Sequence, residues 1–163
     1  MKPFRAVRHR KAYTIDGCVS REEIVAFALK LVARRFKRGA NLTSSDATRD
    51  FLRLKLANYE HEVFCALFLD SQHKLVAYEE LFQGTIDGCA VYPREVVKKA
   101  LSINAAAIIF AHNHPSGHPE PSQADIDITR RLVRALTAVD IRVLDHCVVG
   151  GDEVVSFAER GLV

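Results

Sequence analysis

Apolar residues recur at helical spacing in two segments near the start of the chain. Ser20 and Glu23 form a capping-box pattern, and the apolar residues over 24–32 then repeat every three or four positions. A second helix is predicted from Ser45 to about Ala57. Residues 1–19 show little pattern and are predicted to form an arm.

The pattern changes after residue 62, where continuous apolar runs replace the helical spacing. Runs of this kind, bounded by turn residues, are typical of buried strands. Strands and helices then alternate, which predicts an α/β (α+β) fold with a mixed β-sheet flanked by helices. The predicted strands are Val63–Leu69, Lys74–Phe82, Ala105–Ala111 and Ile141–Val149, and the predicted helices begin at Pro93 and span Ile126–Val139.

Size and composition narrow the class of protein. The chain has 163 residues, of which 48% are apolar and 26% charged, a balance typical of a globular protein. None of the four cysteines has C-x-x-C spacing, which favours a reducing compartment. Because no apolar run is long enough to span a membrane and no signal-peptide pattern opens the chain, we expect a cytoplasmic protein without membrane contact.

The positive charge is unevenly distributed. The net charge of +3 is too small to argue for a nucleic-acid partner by itself. A local basic cluster could nevertheless contact DNA phosphates or an acidic partner, although such clusters are more commonly solvated, flexible ends. The cluster consists of Arg5, Arg8, His9, Arg10 and Lys11, followed by Arg34, Arg35, Lys37 and Arg38.

Two histidines follow a predicted buried strand, and their spacing indicates a metal site. Side chains alternate along a strand, so His112 and His114 point to one side while Asn113 points to the other. Pro115 helps to end the strand there. Two imidazoles on one side of a strand end supply half of a tetrahedral zinc site.

A third ligand is predicted at the start of the following helix. Ser122 and Asp125 have the spacing of a helix-capping pair. Asp125 also lies on the apolar stripe that Ile128 and Leu132 continue, where a carboxylate is costly to bury unless it pairs or binds a cation. Two histidines and one aspartate leave a fourth position for water, as in catalytic rather than structural zinc sites.

The motif His112-x-His114-Pro115, followed by Ser122-x-x-Asp125, resembles the JAMM motif of the JAB1/MPN metalloprotease superfamily. The longer sequence His-Asn-His-Pro-Ser-Gly resembles the RadC branch of that superfamily. Further residues that resemble this branch occur from about Glu62 to Leu162. The resemblance implies a cytidine-deaminase-like architecture, one zinc ion and hydrolysis of a peptide or isopeptide bond. It divides the chain into a basic N-terminal arm and helix, 1–45, and a metal-binding domain of the JAB1/MPN type, 46–163.

The resemblance also implies two catalytic residues. A glutamate that opens an apolar strand acts as general acid and base in the superfamily, and Glu62 stands at that position. Glu60 is the alternative candidate for this role. The alternative interpretation of Glu62 is an exposed carboxylate at the start of a strand without a catalytic role. By the same resemblance Ser122 stabilises the oxyanion of the reaction, unless its hydroxyl only caps the helix.

Several alternatives stay open at this point. In the leading hypothesis the chain acts on an unidentified protein or peptide substrate. In a second hypothesis it is a DNA-associated protein of repair or mobile-element maintenance. A metal-dependent nuclease is a third, and an inactive scaffold is disfavoured by the complete ligand set. Asp145 and His146 lie within a predicted strand, where they either orient a zinc-ligating histidine or make structural hydrogen bonds.

Overall fold

The computed structural model describes residues 4–7, 12–35, 39, 45–56, 59–85 and 88–163, with the backbone alone for 32–35. The chain divides into two compact units, Met1–Arg35 and Phe36–Val163. The domain boundary expected after residue 45 stays a prediction. Of the predicted basic cluster, residues 8–11, 37 and 38 lie outside the described residues.

The first unit contains a small hairpin and one helix. Strands β1 (Phe4–Ala6) and β2 (Tyr13–Ile15) pair antiparallel, and helix α1 (Arg21–Arg35) follows. The ring of Phe27 on α1 stacks on Phe4 with the centroids 3.9 Å apart and meets Tyr13 edge-on at 5.0 Å. The prediction of an arm with little pattern over residues 1–19 is therefore corrected. Strands of three residues are too short to show alternation, so this hairpin left no sign in the sequence.

The second unit is built on a five-stranded mixed sheet, which confirms the predicted fold class. The strand order is β4-β3-β5-β6-β7, with β5 and β6 parallel and the other neighbours antiparallel. No helix of the described residues is both long and apolar enough to cross a membrane. The strands are β3 (Val63–Leu69), β4 (Leu75–Gln83), β5 (Ala107–Asn113), β6 (Arg142–Gly150) and β7 (Glu153–Ser156).

Helices cover the sheet because both faces of its central strands are apolar. Every residue of β3 and β5 is buried, as expected for strands packed on both sides. Helices α3 (Pro93–Ile103) and α4 (Gln123–Thr137) pack over one face, where Phe64, Phe110 and Leu132 form part of one cluster. Helix α2 (Ser45–Leu56) contacts β5, β6 and β7, and Phe51 meets Tyr78 edge-on at 5.4 Å.

The end of β4 is tied to the residue that precedes β3. The amide of Gly84 donates to the carbonyl of Glu62 at 2.8 Å, and the amide of Glu62 donates to the carbonyl of Thr85 at 3.0 Å. A Cβ atom at Gly84 would lie 2.1 Å from the carbonyl oxygen of Gly88, so the backbone there has no room for a side chain. Glycine at this position therefore serves a close approach of two backbone segments.

We expect Gly84→Ala to lower the free energy of unfolding by about 1–3 kcal/mol, because the methyl group forces backbone apart. Urea denaturation followed by circular dichroism measures this change. Lys98→Ala, at an exposed position of α3, is the control and should change stability by less than about 0.5 kcal/mol. Equal stability of Gly84→Ala and the wild type would contradict the packing argument.

Candidate metal centre

The end of β5 brings two imidazoles to one side of the sheet. Phe110 and His112 alternate with Ala111 and Asn113, so His112 follows the face that carries the core under α3 and α4. The backbone continues its parallel pairing with β6 beyond the strand, because the His114 amide donates to the Val149 carbonyl at 2.8 Å. As a result the rings of His112 and His114 lie with their centroids 4.8 Å apart.

The first turn of α4 brings Asp125 to the two imidazoles. Ser122 is the N-cap of this helix, and its hydroxyl accepts from the Asp125 amide at 3.2 Å. The Asp125 carboxylate in turn accepts from the Ser122 amide at 2.7 Å and from the Ser122 hydroxyl at 2.6 Å. This capping box holds the carboxylate in place, so the capping and ligand interpretations of Asp125 are compatible.

Three side chains converge so that one ligand atom from each lies within 4.8 Å of the other two. His112 Nε2 lies 3.0 Å from His114 Nε2 and 3.3 Å from Asp125 Oδ1, and His114 Nε2 lies 3.5 Å from Asp125 Oδ2. Ligands that bind one tetrahedral zinc at 2.0–2.2 Å lie about 3.3–3.5 Å apart. The predicted ligands His112, His114 and Asp125 are thus brought together by the fold, and they form a group that could hold a metal.

A buried hydrogen-bond chain fixes the tautomer of His112. The Thr129 hydroxyl donates to the Asp125 carbonyl at 2.5 Å, so it accepts from His146 Nδ1 at 2.6 Å. Burial holds the pKa of His146 well below its usual value, so the ring is neutral. Its Nε2 therefore carries no proton and accepts from His112 Nδ1 at 2.8 Å. Because the proton of His112 is held at Nδ1, its Nε2 lone pair faces Asp125 and His114.

A carbonyl fixes the tautomer of His114 in the same way. His114 Nδ1 lies 2.8 Å from the His118 carbonyl oxygen, which can only accept, and its proton is therefore on Nδ1. The loop that carries this carbonyl packs tightly on Gly150, where a Cβ atom would lie 2.6 Å from the His118 carbonyl carbon. The Nε2 lone pair of His114 is thereby also directed at the shared point.

The donor set fits a zinc ion. Two imidazole lone pairs facing each other at 3.0 Å repel unless a proton or a cation lies between them. A pair of imidazoles and one carboxylate is a ligand set for zinc and similar transition metals rather than for calcium or magnesium.

Glu62 reaches the same site from the neighbouring strand. Phe64 pairs with His112 in the antiparallel register of β3 and β5, so two more residues bring Glu62 opposite His114. Its half-buried side chain lines the cleft together with His114 and Asp125. Burial raises the pKa of the Glu62 carboxyl.

Asn113 holds the backbone on both sides of Glu62. Its side-chain oxygen accepts from the Val63 amide at 2.8 Å, and its side-chain amide donates to the His61 carbonyl at 3.0 Å. The side chain is almost completely buried on the strand face opposite His112. The residue between the two histidines therefore positions the glutamate.

The sequence of this chain matches a known protein family. A family model described as "RadC-like JAB domain" matches residues 42–162. The chain belongs to the RadC-like JAB domain family. The resemblance drawn from the His112 motif is thus confirmed.

Relatives named "UPF0758 protein" are similar over most of the chain. One from Vibrio cholerae is 55% identical over 154 residues, which cover 94% of this chain and 96% of the relative. One from Cellvibrio japonicus is 61% identical and one from Marinobacter nauticus is 60% identical, over 88% and 83% of this chain. The matched residues span 64% and 61% of the length of these two relatives.

Within this JAB domain, Asp145 and His146 have different tasks. The Asp145 carboxylate accepts from the Ser156 hydroxyl at 2.7 Å and from the Ala158 amide at 2.9 Å, which ties β6 to the C-terminal turn. His146 is fully buried, and its neighbours contact it on both ring nitrogens. Each of the two residues follows one of the alternatives drawn from the sequence. Asp145 makes structural hydrogen bonds, and His146 orients His112.

Thr129 was not singled out in the sequence, although its position carried a signal. It lies one turn after Asp125, where a threonine hydroxyl can bond to the carbonyl four residues back. Its second bond, from His146, depends on how α4 packs on β6. Sequence spacing alone cannot reveal that bond.

The expected oxyanion role of Ser122 and the expected DNA contact both stay predictions. The Ser122 hydroxyl hydrogen is directed to Asp125 in this structure. Of the basic cluster, Arg5 pairs with Asp16 at 2.5 Å. The side chains of the remaining members lie outside the described residues.

We predict that Thr129→Val weakens zinc binding about 10- to 100-fold. Without the hydroxyl, His146 can place its proton on Nε2, which forces the proton of His112 onto the nitrogen that faces the site. Competition with a chromophoric zinc chelator measures the affinity, and circular dichroism checks the fold. Thr137→Val, at the exposed end of α4, is the matched control and should bind zinc like the wild type. Unchanged affinity in Thr129→Val would refute the hydrogen-bond chain.

Proposed function

We propose that this chain is a zinc-dependent hydrolase of the JAMM type that cleaves an amide or isopeptide bond. The observation that carries the proposal is the fixed pair of tautomers, which directs both Nε2 lone pairs at the Asp125 carboxylate beside Glu62. His112, His114 and Asp125 would hold the metal. Zinc, when bound, supplies a Lewis acid that acidifies water and polarises a carbonyl.

Glu62 is proposed to move the proton. A carboxylate whose pKa is raised by burial is a stronger base than one in water, and it can later return the proton to the leaving nitrogen. Asn113 and the Thr85 carbonyl hold the backbone around Glu62, so little reorganisation is needed for the transfer. Ser122 is proposed to donate to the oxyanion once its hydroxyl leaves Asp125.

An amide substrate is favoured over a phosphodiester by the number of metal-binding groups. Metal-dependent phosphoryl transfer commonly uses two metal ions held by shared carboxylates. Among the described residues, one group of three ligands is found. A single zinc next to a glutamate is instead the usual arrangement of a metallopeptidase.

The test is a substrate panel with zinc-loaded protein, including isopeptide-linked lysines, peptides and nucleic acids. We predict cleavage of an amide or isopeptide substrate and a loss of at least about 100-fold in kcat for Glu62→Gln. That variant should keep its zinc, because Glu62 is not a ligand.

Glu60→Gln is the matched control, since Glu60 is exposed two residues away. It should retain activity. Zinc-loaded wild-type protein that cleaves no amide would overturn the proposal, and so would a Glu60→Gln variant that loses activity while Glu62→Gln keeps it. Cleavage of nucleic acid alone would favour the nuclease hypothesis.

A further inference from the structure

One face of α4 lines the cleft that contains the metal site. The cleft has a volume of about 750 Å³, and Glu62, His114 and Asp125 line it. Ala124, Ile128 and Arg131 recur at spacings of four and three residues, which places them along one helix face. The segment Gly88–Val91 also lines the cleft.

Part of the cleft lining is apolar. Ala90 and Val91 belong to this part, as do Ala124 and Ile128 of α4. An apolar lining of this kind accepts an uncharged side chain of a substrate, since burial of apolar surface stabilises the complex. The charged residues that also line the cleft are Glu62, Asp125, Asp127 and Arg131.

Arg131 carries a positive charge that no described residue pairs with. It is exposed, and no described residue makes an ion pair or hydrogen bond with its guanidinium. It is also the one arginine or lysine among the described residues that line the cleft.

The neighbouring charges are already paired. Arg130, the adjacent residue, lies 3.6 Å from Asp127, which also accepts from Gln123 at 3.0 Å. Arg160 makes two contacts with Glu120, at 2.6 and 3.0 Å. Within the described part of the chain the guanidinium of Arg131 therefore has no partner, and it can bind an anion from outside the chain.

We propose that Arg131 is a specificity-determining residue that binds a carboxylate of the substrate. Guanidinium and carboxylate groups form short, charge-assisted and often bidentate hydrogen bonds. Arg131 lies six residues after Asp125, or about 9 Å along the helix at 1.5 Å per residue. An extended peptide covers this distance in about three residues at 3.3 Å each.

The preferred substrate is therefore a peptide segment with an apolar residue over Ile128 and a carboxylate about three residues from the reacting bond. The carboxylate belongs to an acidic side chain or to a free C-terminus, which present the same chemistry. The position of the reacting bond rests on the proposed function. The binding of the carboxylate itself does not.

The test measures binding rather than cleavage. Fluorescent hexapeptides with one apolar residue and a neighbouring Asp, Asn or Lys, each with a free or an amidated C-terminus, are titrated into zinc-loaded Glu62→Gln protein. We expect peptides with a carboxylate to bind at least about tenfold more tightly than their Asn or amidated counterparts. Loss on Asp→Asn exchange identifies a side-chain carboxylate, and loss on amidation identifies a C-terminus; either supports the proposal.

Variants in the same background assign the preference to one residue. Arg131→Ala should abolish it, Arg131→Lys should retain part of it, and Arg131→Glu should favour the Lys peptides. Arg130→Ala is the matched control and should keep the full preference, because Arg130 is paired and does not line the cleft. Absence of any binding, absence of a carboxylate preference, or equal effects of Arg130→Ala and Arg131→Ala would each overturn the proposal.

The two proposals can fail separately. A carboxylate preference that follows Arg131 in a protein that cleaves no amide would leave this inference standing and refute the hydrolase. Amide cleavage, together with a peptide preference that does not depend on Arg131, would support the hydrolase and refute this inference.

Discussion

The facing lone pairs of His112 and His114 are the interaction on which the rest of the site depends. Two unprotonated nitrogens 3.0 Å apart are unfavourable without a positive charge between them. The protein nevertheless holds both protons on the far sides of the rings, through His146 for one and the His118 carbonyl for the other. Both lone pairs therefore point to one shared position beside Asp125, where a metal ion could bind.

The architecture of the sheet supplies each part of this arrangement. The parallel pairing of β5 and β6 brings His146 behind His112, and the antiparallel pairing of β3 and β5 brings Glu62 beside His114. The N-terminus of α4 then places Asp125 across from both imidazoles. Because these groups come from β5, β6, α4 and the residue before β3, the site forms only when the central sheet and α4 pack correctly.

Much of this fold and site follows from local patterns. Alternation along β5 predicts that His112 and His114 share a side, and the spacing from Ser122 to Asp125 predicts a capped helix start whose carboxylate faces inward. The continuous apolar runs predict the central strands to within about two residues at each end. Such signals survive in one sequence because they arise between residues close together in the chain.

The parts that could not be predicted are those that depend on tertiary register. The contact of His146 with His112 requires the pairing of β5 with β6, which includes an irregularity between Ile108 and Ile109. The bonds from Asn113 to the residues around Glu62 likewise require the β3–β5 register. The β1–β2 hairpin was missed for a different reason, since its strands are too short for a periodic signal.

The central claim is that three side chains hold one zinc ion, and elemental analysis of purified protein tests it most directly. Wild-type protein supplied with zinc should contain about one zinc per chain, as a single three-ligand site requires. Asp125→Asn should lose most of it, whereas Asp127→Asn, two residues along the same helix and exposed, should keep it. Absence of zinc from the wild type, or equal zinc in both variants, would contradict the account.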